Sequence, residues 1–77
     1  MFALHQTVAL TQDIPGSGLQ SGDLGVVVAI LDSENCEVEF VAASGRAQAL
    51  LTVSAADLRA IGDQDLIAVR SLVAARH

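Results

Sequence analysis

Few side chains in this sequence belong to the types that carry out catalysis or bind metal ions. The 77 residues include two histidines, His5 and His77, and one cysteine, Cys36. Zinc sites use Cys or His ligands in closely spaced pairs, and these three residues are scattered along the chain. Catalysis without a metal needs a nucleophile beside a base, or carboxylates with shifted pKa values, and the sequence holds no such combination. We therefore expect a non-enzymatic protein with no catalytic residue, no metal and no cofactor.

A glycine-containing loop is the one stretch that invites a phosphate-binding interpretation. Gly16-Ser17-Gly18 lies in residues 11–23, which hold three glycines and the only proline. It lacks the further glycine and the Lys-Ser/Thr pair of a P-loop, and no helix is predicted after it. The stretch is better explained as a long loop with turns that require positive φ. Ile14 and Leu19 are its apolar anchors onto the fold.

The charge balance excludes several classes of partner. Nine acidic residues stand against four arginines, and the formal net charge is −5. Nucleic-acid binding depends on Lys and Arg contacts to phosphate, so we expect no nucleic-acid partner. No apolar run approaches the roughly 20 residues that span a bilayer, and the N-terminus has no cationic region of a signal peptide. We expect a bacterial cytoplasmic protein with a reduced cysteine and no membrane contact.

Two strand-like runs, residues 25–31 and 36–41, form the central hairpin of the predicted fold. The polar residues 32–35 between them are typical turn formers. The first run is apolar throughout, which predicts a strand covered on both faces. The second run alternates, with one set facing the core and one facing water: Cys36, Val38 and Phe40 inward, and Glu37, Glu39 and Val41 outward.

The flanking segments add three more strands. Residues 6–10 predict the first strand, and residues 47–53 follow the central hairpin through a Ser-Gly turn. Leu50 faces outward in this pattern and would lie beside Val41, which predicts an exposed apolar patch.

The last strand is predicted at residues 58–61, after a single helical turn at residues 54–57 for which Ser54 is the N-cap. Five short strands, a long loop after the first and one helical turn before the last are typical of an SH3-like barrel. We expect residues 1–62 to form this small, mainly β five-stranded barrel. The predicted core consists of Val8, Leu10, Leu24, Val26, Val28, Ile30, Val38, Phe40, Leu51, Val53, Leu58 and Ile61.

A family resemblance accompanies this pattern and covers residues 6–61. The residues that carry it are Val8-Ala9-Leu10, Asp13-Ile14-Pro15, Gly18-Leu19, Gly22-Asp23-Leu24-Gly25-Val26-Val27, Val38-Glu39-Phe40, Gly45 and Leu58-Arg59. They resemble the small bacterial proteins grouped as domain of unknown function 4926. The resemblance implies the barrel fold and no established activity. It also implies likeness to SH3-like barrels that dock onto protein partners, and to antitoxin, immunity or accessory-subunit roles.

The tail, residues 63–77, departs from that pattern by its apolar content. Asp63 as a cap, Asp65 in a first turn and the many Ala and Leu residues favour a helix. A strand over residues 65–73 is the alternative. In either geometry apolar side chains occupy two sides, so the tail packs on the barrel with one side and on a neighbouring chain with the other.

We therefore predict a self-associating protein-interaction module, a dimer or tetramer that also binds a protein partner such as a neighbouring gene product. Its candidate interaction surface is Val41, Leu50, Leu66, Ile67, Val69, Leu72 and Val73. The alternative is a small-molecule-binding domain whose pocket lies between residues 11–23 and the acidic face of Glu37 and Glu39. An acidic rim with apolar walls would prefer a cationic ligand.

Overall fold

Residues 2–72, which the computed structural model describes, build one antiparallel sheet of five strands. The strands are β1 Thr7–Leu10, β2 Leu24–Ile30, β3 Asn35–Val41, β4 Ala47–Ser54 and β5 Leu58–Ala60. Their order in the sheet is β4-β3-β2-β1-β5. The prediction of a mainly β fold is confirmed. Within the described residues β4 and β5 remain the two edges of the sheet, so the closed barrel that we expected is not observed.

The β2–β3 hairpin turns as its sequence predicts. One carboxylate oxygen of Asp32 accepts hydrogen bonds from the backbone N–H groups of Glu34 and Asn35, both at 2.8 Å. These bonds lower the pKa of Asp32 and hold the turn as an Asx-type reversal. The predicted alternation of β3 is confirmed: Cys36, Val38 and Phe40 are buried, and Glu37 and Glu39 lie on the other face.

The expectation for β2 is wrong in one respect. Val28 and Ile30 are exposed and Val26 lies on the face of Glu39, although all three were predicted to lie in the core. The inward positions of β2 are Gly25 and Val27, and the pairing with β3 shifts between Val27 and Ala29. An all-apolar strand does not show which of its faces is inward, and a bulge changes the phase again. This strand is therefore covered on one face only, with apolar side chains left on the surface.

Gly25 leaves room for two core side chains of β3. A Cβ atom at this position would lie 2.5 Å from Cγ1 of Val38 and 2.9 Å from Cε1 of Phe40. Such contacts are shorter than packed carbon atoms allow, so the hydrogen of glycine is needed there. The Phe40 ring takes the space that a side chain at residue 25 would fill.

The core lies on one face of the sheet and includes one loop residue. It consists of Val8, Leu10, Leu19, Val27, Cys36, Val38, Phe40, Val53 and Leu58, with Phe2, Ile14, Ala49 and Leu51 packed against it. In the loop after β1, the Ile14 N–H donates to the Leu19 carbonyl at 3.1 Å. The Ser17 hydroxyl also donates to the Ile14 carbonyl at 2.7 Å. The prediction that Ile14 and Leu19 anchor this loop is confirmed.

The short 3₁₀ turn Ala55–Asp57 connects β4 to β5. Ser54 caps it, because its hydroxyl oxygen accepts a hydrogen bond from the Ala56 N–H at 3.3 Å. The predicted turn and its cap are thus confirmed. No helix within residues 2–72 has the length and apolar character needed to cross a membrane.

The predicted helix of the tail is wrong for the part that the structure describes. Asp63 and Gln64 form a turn, and residues 65–72 are neither helix nor strand. Asp65, which we expected in a first helical turn, instead accepts a hydrogen bond from the backbone N–H of Gly62 at 2.8 Å. Its carboxylate is also occupied by Arg59, so side-chain contacts to the sheet replace helical hydrogen bonds. Residues 73–77 lie outside the described residues.

Candidate interaction surface

The tail is fastened to the loop after β1 by Arg70. Its Nε donates to Oδ1 of Asp23 at 2.7 Å, and its Nη2 donates to Oδ2 at 2.6 Å. Nη2 also donates to the carbonyl oxygen of Gly18 at 2.7 Å. Two parallel bonds between a guanidinium and a carboxylate form the strongest common type of ion pair, because charge and geometry are matched together. We call this contact, Arg70 with Asp23 and Gly18, the clamp.

The electrostatics of Asp23 favour the ionised form that the clamp requires. The hydrogen bond from Arg70 is the main cause that lowers the pKa of this carboxyl group. Partial burial acts in the opposite direction, and a hydrogen bond from the Gln20 N–H at 2.8 Å lowers the pKa again. Asp23 therefore has two functions: it closes its own turn and it holds the tail.

A second ion pair holds the beginning of the tail. Nη2 of Arg59, in β5, lies 3.0 Å from Oδ1 of Asp65, and Nη1 donates to Oδ2 at 3.1 Å. These bonds, together with the one from the Gly62 N–H, lower the pKa of Asp65. The tail is thus attached at residue 65 to β5 and again at residue 70 to the loop after β1.

Within the described residues, the large apolar side chains between and after these two attachments are open to solvent. Leu66 is 94% exposed and Val69 is 90% exposed, and Ile67 and Leu72 are exposed as well. Soluble monomers seldom present several large apolar side chains in a row, and such patches mark contact surfaces. These four residues belong to the predicted interaction surface. Val73, predicted with them, lies outside the described residues.

The outer face of the sheet contributes the remaining predicted residues. Leu50 in β4 is 55% exposed and lies opposite Glu39, which in turn lies opposite Val26 in β2. Glu37 lies opposite Thr52. The two glutamates are half-buried between these neighbours on the same face that carries Val41 and Leu50. The acidic face and the apolar patch are therefore one mixed surface, and not two separate ones.

A groove of about 430 Å³ lies between the tail and the sheet. Its charged lining residues are Asp23 and Arg70 of the clamp, which neutralise each other. Its apolar walls are formed by side chains of the sheet, the first loop and the tail, among them Leu19, Leu24, Phe40, Val41 and Leu72. Glu37 and Glu39 do not line it, so the predicted pocket with an acidic rim is not assembled from these residues. Residues 11–23 do contribute to it, as predicted.

The clamp is the feature that sequence reasoning missed. In the sequence, Asp23 stands in a turn-forming stretch and Arg70 interrupts an apolar run, and neither residue points to the other. A signal was nevertheless present, because a lone cation within an otherwise apolar stretch must either reach water or find a carboxylate. The sequence contains nine acids, and nothing in the spacing of Arg70 selects the one 47 residues before it.

The described side chains that could bind a metal ion do not form a cluster. Among residues 2–72, no three His, Cys, Asp or Glu side chains come together as a metal site would require. Cys36 is fully buried, and burial raises the pKa of its thiol. His5 lies in a turn with φ of 68°, and it is exposed.

The fold and this surface define the class of the molecule: a small, mainly β domain of one five-stranded antiparallel sheet, with an apolar tail attached at one side. The chain belongs to the family described as Domain of unknown function (DUF4926), whose model matches residues 4–60. The family resemblance seen in the sequence is thereby confirmed. The matched span contains all five strands and ends before the tail. Neither a curated protein nor a solved structure was found to match the chain.

Proposed function

We propose that this domain is a non-catalytic protein-interaction module that associates with itself through its tail and the neighbouring outer face of the sheet. One observation carries the proposal. Large apolar side chains at residues 66–72 are open to solvent, and two ion pairs, Arg59–Asp65 and Arg70–Asp23, hold this segment against the sheet. An apolar segment that is ordered before it meets a partner loses less conformational freedom on binding than a free one.

The energetics favour burial of this segment in a complex. At roughly 25 cal/mol per Å² of apolar surface, a few hundred Å² are worth several kcal/mol before the cost of association is subtracted. Two such segments, one on each chain, double the area. Closed two-fold symmetry is the commonest arrangement of identical chains, so we expect a dimer, or a tetramer made of two dimers.

The proposal also covers the type of fold, the protein partner and the cellular location. The strand order, the long loop after β1 and the 3₁₀ turn before β5 support an SH3-like barrel that is open between β4 and β5. A protein partner such as a neighbouring gene product, in an antitoxin, immunity or accessory-subunit role, would use the same mixed surface. The proposal includes a location in a bacterial cytoplasm, and the free thiol of Cys36 fits a reducing compartment.

Light scattering on the full chain and on one double variant tests the proposal. Leu66→Ser with Val69→Ser removes the two most exposed large apolar side chains of residues 63–72 and leaves both ion pairs in place. We expect the parent chain to be a dimer at tens of micromolar and the double variant to be a monomer. Leu4→Ser, which changes an exposed leucine near the N-terminus, is the matched control and should remain a dimer. A double variant that associates as strongly as the parent would contradict the proposal.

The groove beside the clamp supports a second candidate function, the binding of a small molecule. Its volume of about 430 Å³ lies within the ~300–1,000 Å³ typical of ligand pockets, and its walls are mainly apolar. A cationic ligand would have to replace Arg70 at Asp23, the one carboxylate that lines the groove. A thermal-shift screen of apolar cations tests this candidate, and no stabilisation at millimolar ligand would eliminate it.

A further inference from the structure

The edge strand β4 is open and carries no charge. It has β3 as its one neighbour in the sheet, and within residues 2–72 nothing pairs with its other side. Its eight residues, AQALLTVS, include no charged residue and no proline. Edge strands that do not associate are normally protected by lysine, proline or a covering segment. β4 has neither lysine nor proline, and no described strand pairs with its open side.

The hydrogen bonds on the β3 side show which backbone groups face the open side. The Ala55 N–H donates to the Glu34 carbonyl at 2.8 Å, so Asn35 and Ser54 form a non-hydrogen-bonded pair. Antiparallel pairs alternate between the two kinds. The N–H and C=O groups of Thr52 and Leu50 therefore point away from β3, towards the free edge.

We propose that β4 pairs with β4 of a second copy of this chain, antiparallel and about a two-fold axis at Leu50, to give one continuous sheet across the dimer. The proposal rests on the proposed self-association and adds a second contact beside that of the tail, both being needed for a stable dimer. At this register Leu50 lies opposite the same residue of the second copy, and both exposed leucine side chains are covered on the outer face. Pairing of identical edges about a two-fold axis closes the assembly at two chains.

Charges at the two ends of β4 favour a second copy in the antiparallel direction. Arg46 precedes the strand and Asp57 follows it in the 3₁₀ turn, and within residues 2–72 neither belongs to an ion pair. Antiparallel pairing brings Arg46 of each chain to the end of the partner's strand where Asp57 lies. Parallel pairing would instead bring like charges together. The other edge, β5, has three residues and carries Arg59, so it offers a shorter and charged template.

Amide hydrogen exchange, followed by NMR on the full chain, tests this pairing residue by residue. Leu51 and Val53 donate towards β3 and serve as internal controls that are protected in any folded state. We expect the amides of Leu50 and Thr52 to be protected at least tenfold more in concentrated protein than at high dilution. A chain that has a dimer mass while these two amides exchange like open ones would overturn the edge pairing and leave self-association standing. A chain that is a monomer at all concentrations would overturn both.

A proline variant gives an independent test. Thr52→Pro removes a donor on the open side and leaves the hydrogen bonds to β3 in place, which is the position where an edge strand tolerates proline. We expect this variant to be a folded monomer, and the matched Thr52→Ala variant to remain a dimer. A folded Thr52→Pro variant that is still a dimer would overturn the proposal. If the proline variant does not fold, amide hydrogen exchange of Leu50 and Thr52 in the parent chain shows whether the edges pair.

Discussion

The carboxylate of Asp23 and the guanidinium of Arg70 form a two-bond ion pair between parts of the chain that are 47 residues apart. Asp23 closes the loop before β2, and Arg70 lies near the end of the described tail. Because the same arginine also binds the Gly18 carbonyl, a single side chain connects the tail with two points of one loop. The position of residues 66–72 on the molecule therefore depends on this contact.

Removal of the carboxylate charge should release the tail. In Asp23→Asn, Arg70 loses its ion pair, and the backbone after Arg70 becomes more accessible to trypsin. We expect cleavage after Arg70 to become several-fold faster, while cleavage after Arg46, in the exposed β3–β4 turn, keeps its rate. The ratio of the two peptides, measured by mass spectrometry, is internally controlled. An unchanged ratio would show that the clamp does not hold the tail in solution.

The clamp should also weaken in acid. The pKa of Asp23 in the folded chain is lowered, mainly by the hydrogen bond from Arg70. Its contribution to stability is therefore complete above the pKa of an unfolded aspartate, about 3.9, and is lost as the pH falls through the lower folded value. An NMR titration of the Asp23 carboxyl carbon measures this pKa directly. We expect the pKa to be higher in Arg70→Ala, and equal values in the two proteins would contradict the assignment.

Local patterns predicted the hairpins of this fold well, because each depends on neighbouring residues. The Asp32 turn, the alternation of β3 and the Ser54 cap all follow from side chains within a few positions of each other. The phase of β2 could not be predicted, since a strand that is apolar at every position leaves the inward face undefined. Gly25 gave the available clue, because a glycine in a strand often marks a close approach of another chain segment.

The conformation of the tail is the second feature that could not be predicted from the sequence. Its composition favours a helix, and propensity is a weak influence that tertiary contacts override. Here the overriding contacts are the ion pairs of Asp65 and Arg70, and their partners lie in β5 and in the first loop. The residues of the candidate surface were predicted from their apolar character alone. The contacts that hold them in place were not, because they join distant parts of the chain.

Gly25→Ala should destabilise the fold strongly. The new methyl group would lie within 3 Å of Val38 and Phe40, so the two strands must separate or a core side chain must move. Overpacking of this kind costs roughly 1–3 kcal/mol, occasionally more. Urea unfolding measures the loss, with Gly62→Ala as the matched control, where the nearest atom is 3.8 Å away. Val38→Ala added to Gly25→Ala should cost less than the sum of the two single changes. If the two losses of unfolding free energy simply add, the new methyl group and the Val38 side chain are not in contact.

Phe40→Ala should bring the domain close to unfolding. The ring is 98% shielded from solvent and fills the space over Gly25, and Phe2 is the only other aromatic residue of the sequence. Truncation of a buried phenylalanine costs about 3–5 kcal/mol, in domains whose total stability is about 5–15 kcal/mol. Phe2→Ala, at the edge of the core, should cost less. A melting temperature of Phe40→Ala within a few degrees of the parent would place the ring outside the core.

The most direct test of self-association is the molecular mass in solution, measured by sedimentation equilibrium on the full chain and on a version that ends at Gly62. The shorter version keeps all five strands and the whole span that matches the family, so it is expected to fold. At tens of micromolar we predict twice the chain mass of 7.9 kDa, or four times that mass, for the full chain and a monomer for the shorter one. A full chain that sediments as a monomer at this concentration would contradict the proposed function, and two versions that associate equally would show that the tail is not needed.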